Sequence, residues 1–286
     1  MERRIKLIAL DLDGTLLDSR KRVSQRNLDA LEKARRMGVL IVPVTGRPAQ
    51  GLPQAVLDLP GLRYAVTSNG ATIRDLQENR YLLEKHLTPA DCLRVLEACA
   101  DFDMIREVFR EGVGYLTQGD RDILWARYEG TPMMEYVLGT RRVLPGSLEE
   151  FLREDDRPLE ELFFLTDSPE VKEALRQRLS ALPDISFADP APKDLEVMVG
   201  GINKGEALLY LLNLLGIEPQ ETLAIGDGGS DLPLLKAAGI GVAMDNALPF
   251  VKEAADWVTA SCDADGVALA LEKVVFSAME PLKTSF

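Results

Sequence analysis

A largely apolar run that stops at two acids constrains this chain more than any other stretch. Ile5-Lys6-Leu7-Ile8-Ala9-Leu10 leads straight into Asp11-Leu12-Asp13-Gly14-Thr15. A run of this kind reads as a strand buried on both faces, the hallmark of a parallel sheet covered by helices. Open sheets of that class bind ligands beyond the carboxyl ends of their strands, where Asp11 and Asp13 fall. Two carboxylates so close raise each other's pKa unless a cation compensates, so the pair invites a hard divalent ion such as Mg²⁺.

The same punctuation recurs. Ser24 is positioned to cap a helix over 25–37, with Leu28, Leu31 and Ala34 at helical spacing and Gly38 beyond its last turn. A second strand, 39–44, ends in Thr45-Gly46-Arg47-Pro48, and a helix is expected over 49–57. A third strand, 64–67, ends in Ser68-Asn69-Gly70-Ala71. Three successive strands thus finish in small polar or acidic residues on one edge.

From about Glu84 the pattern changes. Thr88-Pro89 opens a helix to about 100, and 104–110 and 113–117 flank Glu111-Gly112 as a hairpin. Helices are expected over 120–128, 147–153 and 169–182, and strands over 161–166, 185–188 and 194–199. The grammar is that of an antiparallel sheet with helices on one face. Parallel grammar returns at Ile202. Lys204 opens a strongly periodic helix closed by Gly216, and a strand at 222–225 runs into Gly226-Asp227-Gly228-Gly229-Ser230-Asp231. Further helices are expected over 232–238, 246–254 and 266–276, with strands at 240–243 and 257–259 and a frayed tail from Glu280.

Composition narrows the chemistry. The chain has 286 residues, enough for one large α/β domain or two ordinary ones. Its formal charge of −13 repels a phosphodiester backbone, so nucleic acid is not an expected partner. No apolar run is long enough to span a bilayer, and the start Met1-Glu2-Arg3-Arg4 leaves no room for a signal peptide, so a cytoplasmic location is expected. Cys92, Cys99 and Cys262 form no C-x-x-C pair and are expected to be free thiols. His86 is the only histidine, which leaves catalysis to carboxylates, a hydroxyl and a lysine.

Taken together, Asp11-Leu12-Asp13-Gly14-Thr15-Leu16, Thr45-Gly46-Arg47, Ser68-Asn69-Gly70-Ala71, Lys204-Gly205 and Gly226-Asp227-x-x-x-Asp231 resemble the haloacid-dehalogenase superfamily, specifically its Cof-type phosphatases with a large cap. The resemblance covers essentially the whole chain. It implies a Rossmann-like parallel-sheet core, residues 1–84 and 192–286, with an α+β cap inserted at 85–191. It implies Asp11 as a nucleophile forming an aspartyl-phosphate, and Asp13 as general acid and base, with neighbouring anions helping it hold a proton. Thr45 and Lys204 would stabilise the transferred phosphoryl group. Leu12, Gly46, Arg47, Asn69 and Gly70 would border the substrate, although Arg47 could instead pair with a nearby acid. Asp11, Asp227 and the carbonyl of Asp13 would hold Mg²⁺, supported by Ser230, Asp231 and Asn246. Ser230 departs from the asparagine usual before Asp231, and Asp245 adds a negative charge. Arg127, Tyr128, Arg141 and Arg142 are candidate substrate contacts in the cap, and 83–85 and 190–193 candidate hinges. The implied activity is Mg²⁺-dependent hydrolysis of small phosphomonoesters, sugar phosphates among them. A phosphomutase or phosphotransferase and a non-catalytic metabolite-binding regulator remain alternatives.

Overall fold

The structure, a computed structural model, describes residues 4–277 except Pro60; the expected frayed tail lies outside the described residues. The chain opens with β1 (Leu7–Leu10), α1 (Gln25–Arg36), β2 (Leu40–Pro43), α2 (Gln54–Leu57), β3 (Tyr64–Thr67), β4 (Thr72–Asp75) and β5 (Arg80–Glu84). Its middle carries α3 (Pro89–Ala98), β6 (Met104–Arg110), β7 (Val113–Thr117), α4 (Gln118–Tyr128), α5 (Pro132–Thr140), β8 (Arg141–Leu144), α6 (Leu148–Glu154), β9 (Glu161–Thr166), α7 (Pro169–Leu179), β10 (Ile185–Ala188) and β11 (Asp194–Val199). It closes with α8 (Lys204–Leu215), β12 (Thr222–Gly226), α9 (Leu232–Ala237), β13 (Ile240–Ala243), α10 (Pro249–Ala254), β14 (Trp257–Val258) and α11 (Gly266–Leu271).

All four residues of β1 are buried, as a strand between two helical layers requires. Ile8 and Leu10 face a cluster shared with α1 and α11, while Leu7 and Ala9 face one shared with α8 and α9. Each leucine so enclosed stabilises the fold by roughly 1.5–3 kcal/mol. β1 pairs parallel with β2 on one side and β12 on the other, within the order β14-β13-β12-β1-β2. The chain therefore leaves β1 towards one neighbour and returns on the other, the switch point at which such sheets open a crevice.

Helix starts follow local chemistry. The Ser24 hydroxyl accepts from the Asn27 N–H, Thr88 and Asp91 form a reciprocal capping box, and the Asn203 carboxamide accepts from the Gly205 and Glu206 N–H groups.

The structure departs from the sequence reading in several places. The helix expected over 49–57 is broken, because Pro53 cannot donate to it; a single 3₁₀ turn at Ala49–Gly51 precedes a short α2. The hairpin β4–β5, not anticipated, pairs antiparallel with β3, which joins the main sheet through a bridge between Val44 and Val66. The element pair α5 and β8 was also not anticipated, although Thr131-Pro132 starts that helix as Thr88-Pro89 starts α3. After α11 the last helix widens into a π-helical turn over Glu272–Phe276. β11 is hydrogen bonded to β9 and β10 in the six-stranded sheet β10-β11-β9-β6-β7-β8, so this strand belongs with the insert rather than with residues 192–286 of the core. Nor are helices confined to one face of that sheet. α3, α6 and α7 pack against Met104, Val108, Leu162 and Phe164, while Leu124 of α4 and Val137 of α5 pack with Ile105, Leu116 and Leu165 on the other. The three cysteines are buried and free, and among the described residues no helix is long and apolar enough to cross a membrane.

Candidate active site

Asp11 begins where β1 ends, its N–H donating to the Ile225 carbonyl at 3.0 Å. Lys204, the first residue of α8, is 3% exposed and reaches under it. Its Nζ donates to Asp11 Oδ1 at 2.8 Å and to Asp231 Oδ1 at 2.6 Å. The other oxygen of Asp231 accepts from the backbone N–H groups of Asp227 (3.0 Å) and Gly228 (2.9 Å), so Asp231 is fixed from both sides and in turn fixes the lysine. Burial and the Asp231 charge push the Asp11 carboxyl well above the usual carboxylate range against the pull of Lys204. Burial works against the Lys204 charge, but Asp11 and Asp231 outweigh it and hold the amine above its ordinary value.

Asp227, carried by the end of β12, faces Asp11. Thr15 Oγ1 donates to its Oδ1 at 3.0 Å, and Asn246 Nδ2 donates to its Oδ2 at 3.2 Å and to the Gly14 carbonyl at 2.7 Å. Gly14 holds φ +80°, and a Cβ there would lie 2.3 Å from Asp227 Oδ2, so only glycine lets the turn close over this carboxylate. Burial, then the Asp231 charge, push Asp227 up to about 7.

Oxygens of Asp11, Asp227 and Asp231 lie within 4.8 Å of one another, a donor set suited to a hard divalent cation. Asp231 is committed to the Lys204 cation and two backbone N–H groups, whereas Asp227 accepts only from the neutral side chains of Thr15 and Asn246, so Asp11 and Asp227 are the pair that could hold such an ion. Their raised pKa values are the electrostatic cost that a cation between them relieves.

Asp13 differs from its expectation. Arg47 Nε and Nη2 donate to its two oxygens at 2.5 and 2.8 Å, and Lys21 Nζ donates to Oδ1 at 2.6 Å. Burial alone would raise this carboxyl; the Arg47 and Lys21 contacts win and hold it well below the usual range. The nearest charges are therefore cations, not anions, and Asp13 is an ion-paired carboxylate with only its backbone carbonyl left for a metal. Arg47 thus pairs with an acid while also lining the cavity. Arg47 also donates to the Gly51 carbonyl at 2.9 Å and lies 4.3 Å from the Tyr136 ring, which ties it to α5.

The Thr45 N–H donates to the Val66 carbonyl, and its hydroxyl accepts from the Arg47 N–H at 3.1 Å. Ser68, Asn69 and Gly70 hold φ of 47°, 51° and 101°, three left-handed residues in succession. A Cβ on Gly70 would meet the Asn203 carbonyl at 2.7 Å, so this glycine lets the start of α8 approach and seats Lys204 instead of lining the site. Leu12 likewise turns its side chain into the core and does not line the cavity.

A cavity of about 260 Å³ lies over these residues, bounded by Asp11, Asp13, Thr45, Gly46, Arg47, Asn69, Lys204, Asp227, Ser230 and Asp231 below. Phe109, Tyr136, Arg141, Glu161, Phe163, Asp194 and Glu196 line it from the six-stranded sheet and α5. Of the cap residues singled out from the sequence, Arg141 is there; Arg127 pairs with Asp167 instead, and Arg142 is exposed. Glu161, Glu196, Phe109, Phe163, Tyr136 and Lys21 were not anticipated. The available signal was acids carried on strands, Glu107 and Glu196 within β6 and β11 and Glu161 at the start of β9, which a structural strand would not bury without a partner.

Residues 8–271 match the profile of the haloacid dehalogenase-like hydrolases. The chain belongs to that family of enzymes. It is 33% identical over 283 residues to the putative phosphatase YxeH of Bacillus subtilis, covering 95% of this chain and 99% of that protein. It is 29% identical to the B. subtilis 5-amino-6-(5-phospho-D-ribitylamino)uracil phosphatase YcsE, covering 93% and 94%. A solved haloacid dehalogenase-like hydrolase from B. subtilis superimposes with a TM-score of 0.83 at 29% identity, over 94% of this chain and 99% of that one.

Proposed function

We propose that the protein is a Mg²⁺-dependent phosphomonoester hydrolase that works on small phosphorylated metabolites through an aspartyl-phosphate. The observation that carries this reading is the buried Asp11–Lys204–Asp231 chain at the sheet switch point, with Asp227 opposite. A carboxylate held by one lysine contact keeps its other oxygen for attack, and the lysine remains beside it to take up charge from the phosphoryl oxygens. In this reading residues 1–84 and those after β11 form the catalytic body, and 85–199 the cap.

The chemistry divides into two displacements. An oxygen of Asp11 forms a bond to phosphorus as the ester oxygen leaves, taking a proton from Asp13. Water then attacks the aspartyl-phosphate, Asp13 takes its proton, and phosphate departs to regenerate Asp11. The ion-paired Asp13 is in the base form that the second displacement uses; substrate anion drawing Lys21 and Arg47 to itself returns Asp13 towards the range where it carries a proton for the first. Mg²⁺, held by Asp11, Asp227 and the Asp13 carbonyl, would offset the mutual repulsion of the acids and withdraw charge from the phosphoryl oxygens. Thr45 and the Gly46 N–H would hold those oxygens in line.

Phosphate release from a panel of phosphorylated metabolites with Mg²⁺, in the wild type and Asp11→Asn, tests this. Turnover that disappears in the variant is expected. Transfer to a sugar hydroxyl that depends on a bisphosphate activator, without net release, would move the assignment to a mutase. Metabolite binding without turnover would move it to a regulator.

A further inference from the structure

The cap reaches the reacting groups through an aromatic ring. Tyr136 stands on α5, whose Val137 packs with Ile105, Leu116 and Leu165 of the six-stranded sheet. The Thr140 hydroxyl donates to the Tyr136 carbonyl at 2.7 Å and accepts from Arg141 Nη1 at 2.8 Å, while Arg141 Nε donates to Glu107 Oε2 at 2.9 Å. Helix, arginine and sheet thus form one unit that carries the ring.

The ring itself leaves that unit and enters the cavity. Arg47 Cζ lies 4.3 Å from its centroid and Arg141 Cζ 4.9 Å. Two cations can share one ring because each has its own acid, Asp13 for Arg47 and Glu107 for Arg141. A Cβ on Gly51 would lie 2.9 Å from Tyr136 Oη and 3.2 Å from its Cε2, so glycine is what lets the ring settle here. A Cβ on Gly112, between β6 and β7, would lie 3.3 Å from the Ala49 Cβ and from the Gln50 nitrogen. The cap therefore meets the core twice on the 3₁₀ turn that follows Arg47.

Arg47 donates through Nε and Nη2 to Asp13 and through Nη1 to the Gly51 carbonyl. Guanidinium N–H groups lie in its plane, so these bonds fix the group within that plane; the Tyr136 face restrains movement out of it. Stacking also leaves the in-plane donors free, so one can pass from Asp13 to a substrate anion by a small shift. Without the ring Arg47 can tilt, and the Asp13 carboxylate loses its two-point alignment and keeps only Lys21 at 2.6 Å.

We infer that Tyr136 is a positioning residue for phosphoryl transfer: its ring holds the Arg47 guanidinium square to the Asp13 carboxylate, so that α5 of the cap completes the proton-transfer group of the core. This rests on the phosphatase reading above.

The test is kcat/KM with Mg²⁺ for the best alkyl phosphate of the metabolite panel, whose alkoxide leaves with a proton, and for p-nitrophenyl phosphate, whose phenolate leaves without one. Folded Tyr136→Leu should lose about three- to thirtyfold on the alkyl ester, the worth of a cation–π contact at tenfold per 1.4 kcal/mol. On p-nitrophenyl phosphate it should stay within about twofold of the wild type. Tyr136→Phe keeps the ring and should stay within about twofold on both esters. In an Arg47→Ala background, Tyr136→Leu should cost less than about twofold, because the group it positions is gone. Equal losses on the two esters, a Tyr136→Phe as impaired as Tyr136→Leu, a Tyr136→Leu with wild-type activity, or a loss that persists in full without Arg47 would each overturn the inference and leave the phosphatase reading standing. Absence of phosphate release from every ester by the wild type would bring down both.

Discussion

Glu196→Gln gives a quantitative test of the buried acid pair. Burial pushes the Glu196 carboxyl up to about 8 from an ordinary value of 4.5. Between those values the folded protein keeps a proton that the unfolded chain has released, so the native state binds more protons and stability falls as pH rises. Each unit is worth about 1.4 kcal/mol, and integrating the two titrations from pH 5 to pH 7 gives about 2–3 kcal/mol lost by the wild type through this one group. Glutamine does not titrate. Its pH-independent costs or gains cancel when the difference between variant and wild type is compared at the two pH values, and relief of Glu161, whose carboxyl is raised by burial and then by the Glu196 charge, acts in the same direction. Urea unfolding of both proteins with a chelator present should therefore show the variant gaining about 2–3 kcal/mol on the wild type between pH 5 and pH 7. A difference flat to within about 0.5 kcal/mol, or one that shrinks with pH, would refute the reasoning.

Lys204→Met leaves Asp11 and Asp231 buried without their cation; a loss of about 3–5 kcal/mol at pH 7 is expected in denaturant unfolding, smaller at pH 5 where Asp11 takes up a proton, with phosphate release lowered by at least about a hundredfold. Gly14→Ala forces a Cβ into Asp227 Oδ2 at a backbone angle that alanine resists, so a melting curve should show a loss of about 1–3 kcal/mol and a metal titration a weaker endpoint. Mg²⁺ at a hundred times its dissociation constant should stabilise the wild type by about 2.7 kcal/mol in the same melts, and Asp227→Asn should abolish most of that gain.

The core of the site was legible because parallel sheets leave a simple trace: an apolar run, then a small polar or acidic residue at the carboxyl edge. Asp11, Thr45, Asn69 and Asp227 all carry it, and their common edge follows once the strands are parallel. What was not legible depends on contacts far apart in sequence. Lys21 sits in a left-handed loop position with no periodic signal, yet decides, with Arg47, that Asp13 is an ion-paired carboxylate. Alternation in Asp194–Val199 identifies a strand but not its sheet; only pairing with β9 assigns it, and that pairing turns Asp194 and Glu196 to the cavity while Leu195 and Val197 enter the core beneath. The short hairpin β4–β5, with Arg80, Tyr81 and Glu84 exposed on β5, carries too mixed a pattern to be distinguished from loop.

The turn at 68–70 explains why the two halves of the site act together. Left-handed backbone at Ser68 and Asn69 is unfavourable for residues with a Cβ, by about 1–2 kcal/mol each, and persists only where surroundings enforce it. Here the Ser68 N–H donates to the Arg47 carbonyl and the Asn69 N–H to the Thr45 carbonyl, both at 3.0 Å, so the turn shapes the loop that would grip phosphate. The side chains of the same two residues reach the other way: Ser68 Oγ donates to Glu160 Oε2 at 3.0 Å, and Asn69 Nδ2 to Glu161 and Glu196. Glu160 also accepts from the Gly112 N–H at 2.9 Å, in the turn between β6 and β7. Withdrawing the six-stranded sheet would break all of these side-chain contacts at once and remove what holds the strained turn. The loop at Thr45–Arg47 and the acids Glu160, Glu161 and Glu196 above it are therefore tied by one three-residue turn, and a substitution that removes its side-chain contacts, such as Asn69→Gly, should lower kcat/KM for phosphate release.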